Sequence, residues 1–182
     1  LRMCMENPND TRFTFCPGCG QKTIHSAGPK SFTCSRCGFH FYLNIAAAGM
    51  AVIFNSHKEC LVTVRGRNPS KGLLDFPGGF AEPEETIEAC LVREIKEELC
   101  LDIDQMTYFC THPNQYLYKN IWYFIMDMVF ICTIKSFEPI KAGDDVADYL
   151  FLAPREMSAD KFGFDSTKTL VNRLQTGPVP DV

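Results

Sequence analysis

The chain has 182 residues, a formal charge of −4, and 46% hydrophobic against 22% charged residues. This suits one domain of ordinary size with a small appendage, and excludes a peptide-like scaffold, a large multidomain enzyme and a disordered segment. The negative balance argues against broad phosphate-driven binding of nucleic acid, which needs a surplus of Lys and Arg to displace counterions, although local basic residues can still grip a small phosphorylated ligand. The longest apolar runs, Ile45–Phe54 and Ile121–Ile134, fall short of the roughly 20 residues that span a bilayer, and the second contains Asp127. Leu1–Pro8 lacks the apolar segment of a secretory signal, so a cytoplasmic protein without membrane attachment is expected. A homodimer is left open.

In chain order, the first module is marked by cysteines. Cys16-Pro-Gly-Cys19-Gly and Cys34-Ser-Arg-Cys37-Gly are two CxxCG knuckles separated by the 14 residues from Gly20 to Thr33, a spacing that lets two turns face each other and converge four thiolates tetrahedrally on zinc. The glycine after each pair opens a backbone conformation that turns amides toward the sulfurs. Four protein ligands leave no open coordination position, so this Zn2+ is expected to be structural. The ribbon is placed over 12–42. The six other cysteines, at 4, 60, 90, 100, 110 and 132, are scattered and read as reduced thiols.

After the ribbon, Phe39–Leu43, Ala46–Phe54 and Leu61–Val64 read as strands, with the polar turn Asn55–Glu59 between the last two. Arg65–Lys71 is a loop. Gly72–Gly79 contains Pro77 and paired glycines, which forbid a regular helix or central strand. Pro83 followed by Glu84 and Glu85 predicts a helix start, because Pro suits the first turn and acids complement the amino-terminal dipole; the helix is expected to run to about Leu99. Met106–Cys110, Ile121–Ile134 and Tyr149–Leu152 read as strands and Thr167–Leu174 as a terminal helix before a Pro-containing tail.

The chemistry is concentrated in the first of these helices. Glu94, Glu97 and Glu98 are spaced i, i+3, i+4 and share one face within roughly 100°. Ile87, Cys90 and Leu91 occupy the same arc earlier, so the face turns inward as it changes from apolar to acidic. Like charges at this spacing destabilise a helix, and partial burial adds to the cost unless a cation compensates. Hard divalent ions take carboxylate oxygens, keep several waters and bridge to phosphate oxygens, which makes Mg2+ or Mn2+ the expected partner.

From Gly79 the sequence reads Gly-x5-Glu85-x7-Arg93-Glu94-Ile95-x-Glu97-Glu98-x-x-Leu101, which resembles the Nudix box. One position departs: Cys100 stands where the family has Gly, in a left-handed helix ending that costs a non-glycine residue about 1 kcal/mol. The resemblance implies an α+β fold, a mixed-sheet α/β/α sandwich over 43–176 behind the ribbon, and hydrolysis of a nucleoside diphosphate linked to another group. It also implies Glu94 and Glu98 as metal ligands, Glu97 as a ligand or water holder, and a carbonyl of Gly78 or Gly79 in the same shell. Arg93 and Glu85 complete the catalytic set, with Glu85 orienting Arg93. A later acid among Glu138, Asp144, Asp145 and Asp148, with Asp145 preferred, is the candidate base or further metal ligand.

A ribbon directly ahead of a Nudix domain is similar to the architecture of NADH pyrophosphatases, which implies NAD(H) or a related ADP-containing dinucleotide as a small-molecule substrate, cleaved to a nucleoside monophosphate. Of that subgroup's signature only a proline survives in Thr111–Tyr118. ADP-ribose and diadenosine polyphosphates are therefore alternatives, with Tyr116 and Tyr118 as candidate substrate-binding residues. A reading of another class is a non-catalytic nucleotide sensor or a zinc-ribbon adaptor. His25, His40, His57 and His112 show no mutual ligand spacing and are assigned no chemistry.

Overall fold

A computed structural model of the chain describes residues 6–177; Cys4 and the end of the Pro-containing tail lie outside the described residues. The chain divides into two compact units, one of Leu1–Ile45 with Tyr116–Phe124 and one of Ala46–Gln115 with Ile125–Val182.

The first unit carries strands β1 (Ile24–Gly28), β2 (Ser31–Cys34) and β3 (His40–Tyr42), paired antiparallel in that order. Its apolar centre is small. Phe32 is fully buried, stacked on Phe41 at 5.0 Å between ring centres, and Phe13 meets both rings edge-on. Buried Asn9 acts like a strand residue: its side-chain amide donates to the Trp122 carbonyl at 2.9 Å and its Oδ1 accepts from the Trp122 N–H at 2.8 Å.

A four-stranded mixed sheet is ordered β7 (Gly78–Phe80), β4 (Ala46–Ile53), β9 (Ile121–Ile134) and β8 (Ile103–Tyr118), with β4 and β9 parallel; all of it but the tip of the β8–β9 hairpin, within 116–124, belongs to the second unit. A three-stranded sheet joins β10 (Val146–Leu152), β5 (Cys60–Arg65) and β6 (Leu74–Asp75). β8 is much longer than Met106–Cys110, because the two-residue turn Lys119-Asn120, both at positive φ, folds it directly back into β9. Eight residues of β9, from Ile125 to Cys132, and all of β4 pair in unbroken register, from Ala46 opposite Ile125 to Ile53 opposite Cys132.

Alternate residues of β4 and β9 divide between two cores. Ala51, Ile53, Phe130 and Cys132 pack with Leu91, Ile95 and Leu99 of helix α1 (Ile87–Leu99), while Met50, Val52, Val129 and Ile131 pack with Leu170, Val171 and Leu174 of helix α2 (Asp165–Thr176). The sheet thus lies between two helices, an α+β sandwich. Gly49 permits the close seating of α1, since a Cβ there would stand 2.7 Å from Leu91 Cγ.

Helix α1 begins four residues later than Pro83 suggests. Thr86 is the cap, its hydroxyl accepting from the Ala89 N–H at 3.2 Å, and Glu84 ahead of it sits at φ 66°, outside helical space. Cys100 ends the helix in the left-handed conformation at φ 58°, its N–H donating to the Lys96 carbonyl. No described helix is long and apolar enough to cross a membrane.

Candidate active site and four-cysteine cluster

In the first unit, Cys16, Cys19, Cys34 and Cys37 bring their sulfurs within 4.8 Å of one another. Each knuckle closes through its glycine: the Gly20 N–H donates to the Cys16 carbonyl and the Gly38 N–H to the Cys34 carbonyl, with both glycines at φ near 70°. Cys16 and Cys37 stand 3.7 Å apart at sulfur, Cys19 and Cys34 3.8 Å. Sulfurs each about 2.3 Å from a central ion lie roughly 3.8 Å apart at tetrahedral corners, so the four fit a metal ion of that kind. The Thr23 hydroxyl, 3.0 Å from the Cys34 sulfur, together with the Cys37 and Arg36 backbone pulls that thiol down to about 6, while Cys37 in the same cluster is pushed up, against its Phe39 backbone hydrogen bond, by burial and by the other three sulfurs.

In the second unit, α1 places its acids beside the Gly78–Gly79 loop. Glu98 is buried, with its Oε2 accepting from the Gly78 N–H at 3.0 Å. Burial pushes its carboxyl up to about 9 against that one favourable bond, helped by the like charges of Asp145, Glu94 and Asp75. Glu94 is raised as well, first by burial, although Arg93 opposes the shift. Neither glycine has room for a side chain: a Cβ at Gly79 would overlap the Glu94 carboxylate, and one at Gly78 would overlap the Gly49 carbonyl.

Arg93 is the hub of the cluster. Its Nε and Nη2 grip Glu85 in a two-pronged pair, both at 2.9 Å, its Nη1 reaches Glu94 at 2.8 Å and Glu97 at 3.1 Å, and Nη2 also donates to the Phe80 carbonyl. Glu85 is held below its ordinary range, chiefly by Arg93 and then by the Glu82 N–H. Glu97 remains half exposed. With Arg93 spread across them, the glutamates do not close into a ligand set as the four cysteines do; among the described residues only the cysteines group that tightly.

Of the later acids, Asp145 is the one whose charge is felt at both Glu94 and Glu98. The loop that carries it is tied to the end of α1, since the Gly143 N–H donates to the Glu98 carbonyl and the Lys141 N–H to the Leu99 carbonyl. Asp144 pairs with Arg67 instead, and Glu138 and Asp148 are exposed. Tyr116 and Tyr118 fall in the first unit, where Tyr116 stacks on Tyr123 at 5.9 Å and Tyr118 lies beneath the Lys119 ammonium.

Sequence reasoning passed over Asp75, which is buried, ion-paired to Arg65 at 2.8 Å and raised to about 6, first by burial. The available signal was Arg65, a charge closing the otherwise uncharged strand Cys60–Val64, with an acid in the Gly72–Gly79 segment that follows. It also treated Asp127 only as an interruption of an apolar run, although a carboxylate amid strand residues buried on both faces needs a reason.

The NUDIX domain pattern matches residues 44–172. An ADP-ribose pyrophosphatase of Methanocaldococcus jannaschii is 32% identical over 139 residues, covering 75% of this chain and 78% of that protein. An NAD-capped RNA hydrolase NudC of Stutzerimonas stutzeri is 31% identical over 110 residues, 60% of this chain. The chain spans only 36% of that relative's length and 34% of the Schizosaccharomyces pombe NAD-capped RNA hydrolase. A NUDIX hydrolase from Nitrosomonas europaea shares the fold, with a TM-score of 0.66 at 17% identity over 93% of this chain and 97% of that one. So does the NUDIX domain of Shewanella oneidensis NrtR, solved with ADP ribose, with a TM-score of 0.57 at 19% identity over 72% of this chain and 87% of that one.

Proposed function

We propose that this chain, which belongs to the NUDIX domain family, hydrolyses a diphosphate bond in a nucleoside diphosphate joined to another group, releasing a nucleoside monophosphate. The observation that carries the reading is Glu98, a buried carboxylate beside Glu94 and within the field of Asp145 and Asp75, with one backbone N–H to favour its charge. Such crowding is stable as anions only with a cation among them.

Magnesium or manganese, when bound, neutralises the diphosphate and acidifies a water. Glu94 and Glu98 would hold it, with Glu97 and a carbonyl of Gly78 or Gly79 as further ligands. Arg93 then keeps Glu85 and Glu94 fixed through its fork of hydrogen bonds. The Gly78 N–H orients Glu98, and Asp145 accepts the proton of the attacking water. Zinc in the four-cysteine cluster would hold a ribbon over 12–42, ahead of a catalytic domain over 43–176, and its thiolates suit a reducing, cytoplasmic setting.

The substrate we infer is NAD(H) or another ADP-containing dinucleotide, with ADP-ribose and diadenosine polyphosphates as the nearest alternatives. ADP is the part common to the named substrates of the relatives. A magnesium-dependent hydrolysis screen across NADH, NAD, ADP-ribose, dinucleoside polyphosphates and coenzyme A, with products identified, tests this. AMP released from at least one ADP-containing diphosphate is the expected result; preference for a nucleoside triphosphate over all of them would overturn the substrate class.

A further inference from the structure

The second unit contains one more polar site, on the face of the mixed sheet opposite α1. Gly79 faces Glu94 and Gly49 faces Leu91, so their neighbours Phe80 and Ala48 project to the α2 side. Asp127 shares the side of Val129 and Ile131, which pack in the α2 core. Phe80, Ala48 and Asp127 are cross-strand partners in one row over β7, β4 and β9, about 10 Å from end to end at two strand spacings. One end of the row is the 44% exposed Phe80 ring beside the Gly78–Gly79 loop, the middle is a single methyl, and the other end is a carboxylate only 5% exposed.

That carboxylate is incompletely satisfied. Asp127 Oδ2 and Ser166 Oγ are the two buried side-chain polar atoms without a hydrogen bond among the described residues. Ser166, in the first turn of α2, and Asn114 lie near enough to favour the charged form, but burial outweighs them and pushes the carboxyl up. His112 stands beside Asn114 on β8, its Nε2 3.5 Å from the Cys110 sulfur, and its charge would be felt at Asp127. A buried carboxylate oxygen and a buried hydroxyl that feel each other's presence yet fall short of a well-formed hydrogen bond are costly unless a ligand completes them.

We propose that Asp127 and Ser166 read the base of the nucleotide half: adenine lies over Ala48 with its amino group donating to Asp127 and a ring nitrogen accepting from Ser166, its sugar directed toward Phe80 and the Gly78–Gly79 loop. Adenine presents an amino donor beside a ring-nitrogen acceptor, which complements one carboxylate acceptor and one hydroxyl donor. Hypoxanthine carries an oxygen where adenine carries the amino group and would set acceptor against acceptor. This deepens the ADP-containing reading and rests on it for the identity of the rest of the substrate.

Calorimetric titration with AMP and with inosine monophosphate needs no turnover, so it stays informative whatever the hydrolysis screen returns. The intact chain is expected to bind AMP at least about tenfold more tightly than inosine monophosphate, as a site built around polar partners rejects the analogue that leaves them unpaired. Asp127→Asn keeps the shape, offers an amide donor to the oxygen, and should erase or invert that ratio. Should it fail to fold, Ser166→Ala carries the test, with AMP binding weakened and inosine monophosphate binding unchanged. Equal binding of the two nucleotides by the intact chain, no measurable AMP binding, or a ratio untouched by both substitutions would overturn the assignment.

Discussion

The four-cysteine cluster and the acidic face of α1 both gather anionic ligands, yet they solve the problem of like charge differently. The sulfurs already stand at tetrahedral spacing, 3.7 and 3.8 Å apart in pairs, inside a unit whose apolar centre is three phenylalanine rings. The carboxylates are parcelled out: Arg93 occupies Glu85, Glu94 and Glu97, and the Gly78 N–H holds Glu98. A closed cluster of four sulfurs could take one ion and has no protein substitute for it. On the function proposed above, an open site that would load and release metal and substrate carries its own internal cation, Arg93, which keeps the carboxylates in place.

The comparison breaks most sharply at the cysteines. Cys34→Ser should release the metal and unfold the first unit, because binding to such a site is folding free energy, on the order of 10 kcal/mol for structural zinc. Zinc content and thermal melting check this; a variant that retains full stability without zinc would reduce the cluster to incidental thiols. Glu98→Gln should cost at least about a hundredfold in kcat, near 2.7 kcal/mol of transition-state stabilisation, with little loss of fold. Near-normal turnover at saturating magnesium would move the chemistry off α1.

A smaller effect separates the sites by pH. Glu98 sits at about 9 when folded against a normal value of 4.5, so between those limits the folded state binds more protons than the unfolded one. Stability of the magnesium-free protein is therefore fully present at the acid end of that window and falls as pH rises toward 9. Glu94, Asp127 and Asp75, the last at about 6, add slopes of the same sign. Above pH 6 most of the slope should vanish in Glu98→Gln or on adding magnesium; melting curves at pH 6 and pH 8.5 that coincide in the unaltered protein would contradict it. The smallest effect is at Cys100, where glycine should relieve the left-handed ending at φ 58°. After the extra freedom glycine gives the unfolded chain, a gain of about 0.5–1 kcal/mol is expected by denaturant titration.

The two regions were also unequally legible. CxxCG spacing dictates two local turns, so sequence alone placed all four sulfurs. The glutamates' shared helical face was equally local, and so were the strands from Ala46 and Cys60. The start of α1 was misplaced because Pro83 and two acids outweighed Thr86, whose value as a cap depends on Glu84 leaving helical space. The extent of β8 depended on a turn at Lys119-Asn120, which lacks the glycine that announces a tight hairpin. Asp75, Asp127 and Ser166 escaped because their meaning lies in pairings across strands and in a helix end far along the chain. Tyr116 and Tyr118 stand out only as aromatics in the segment Thr111–Tyr118, which says nothing about the unit to which they belong.

Gly49 has no charge and no hydrogen-bonding side chain, yet it sets the working depth of the acidic helix. With only a hydrogen at that position, Leu91 settles against the strand, and Glu94 and Glu98, one and two turns further on, arrive level with the Gly78–Gly79 loop that pairs with the same strand. The residue serves as a mechanical stop. A single methyl group there would lift the helix like a shim, and because the loop stays anchored to β4 while the helix moves, the carboxylates would lose their alignment with the loop backbone even though every one of them is still present.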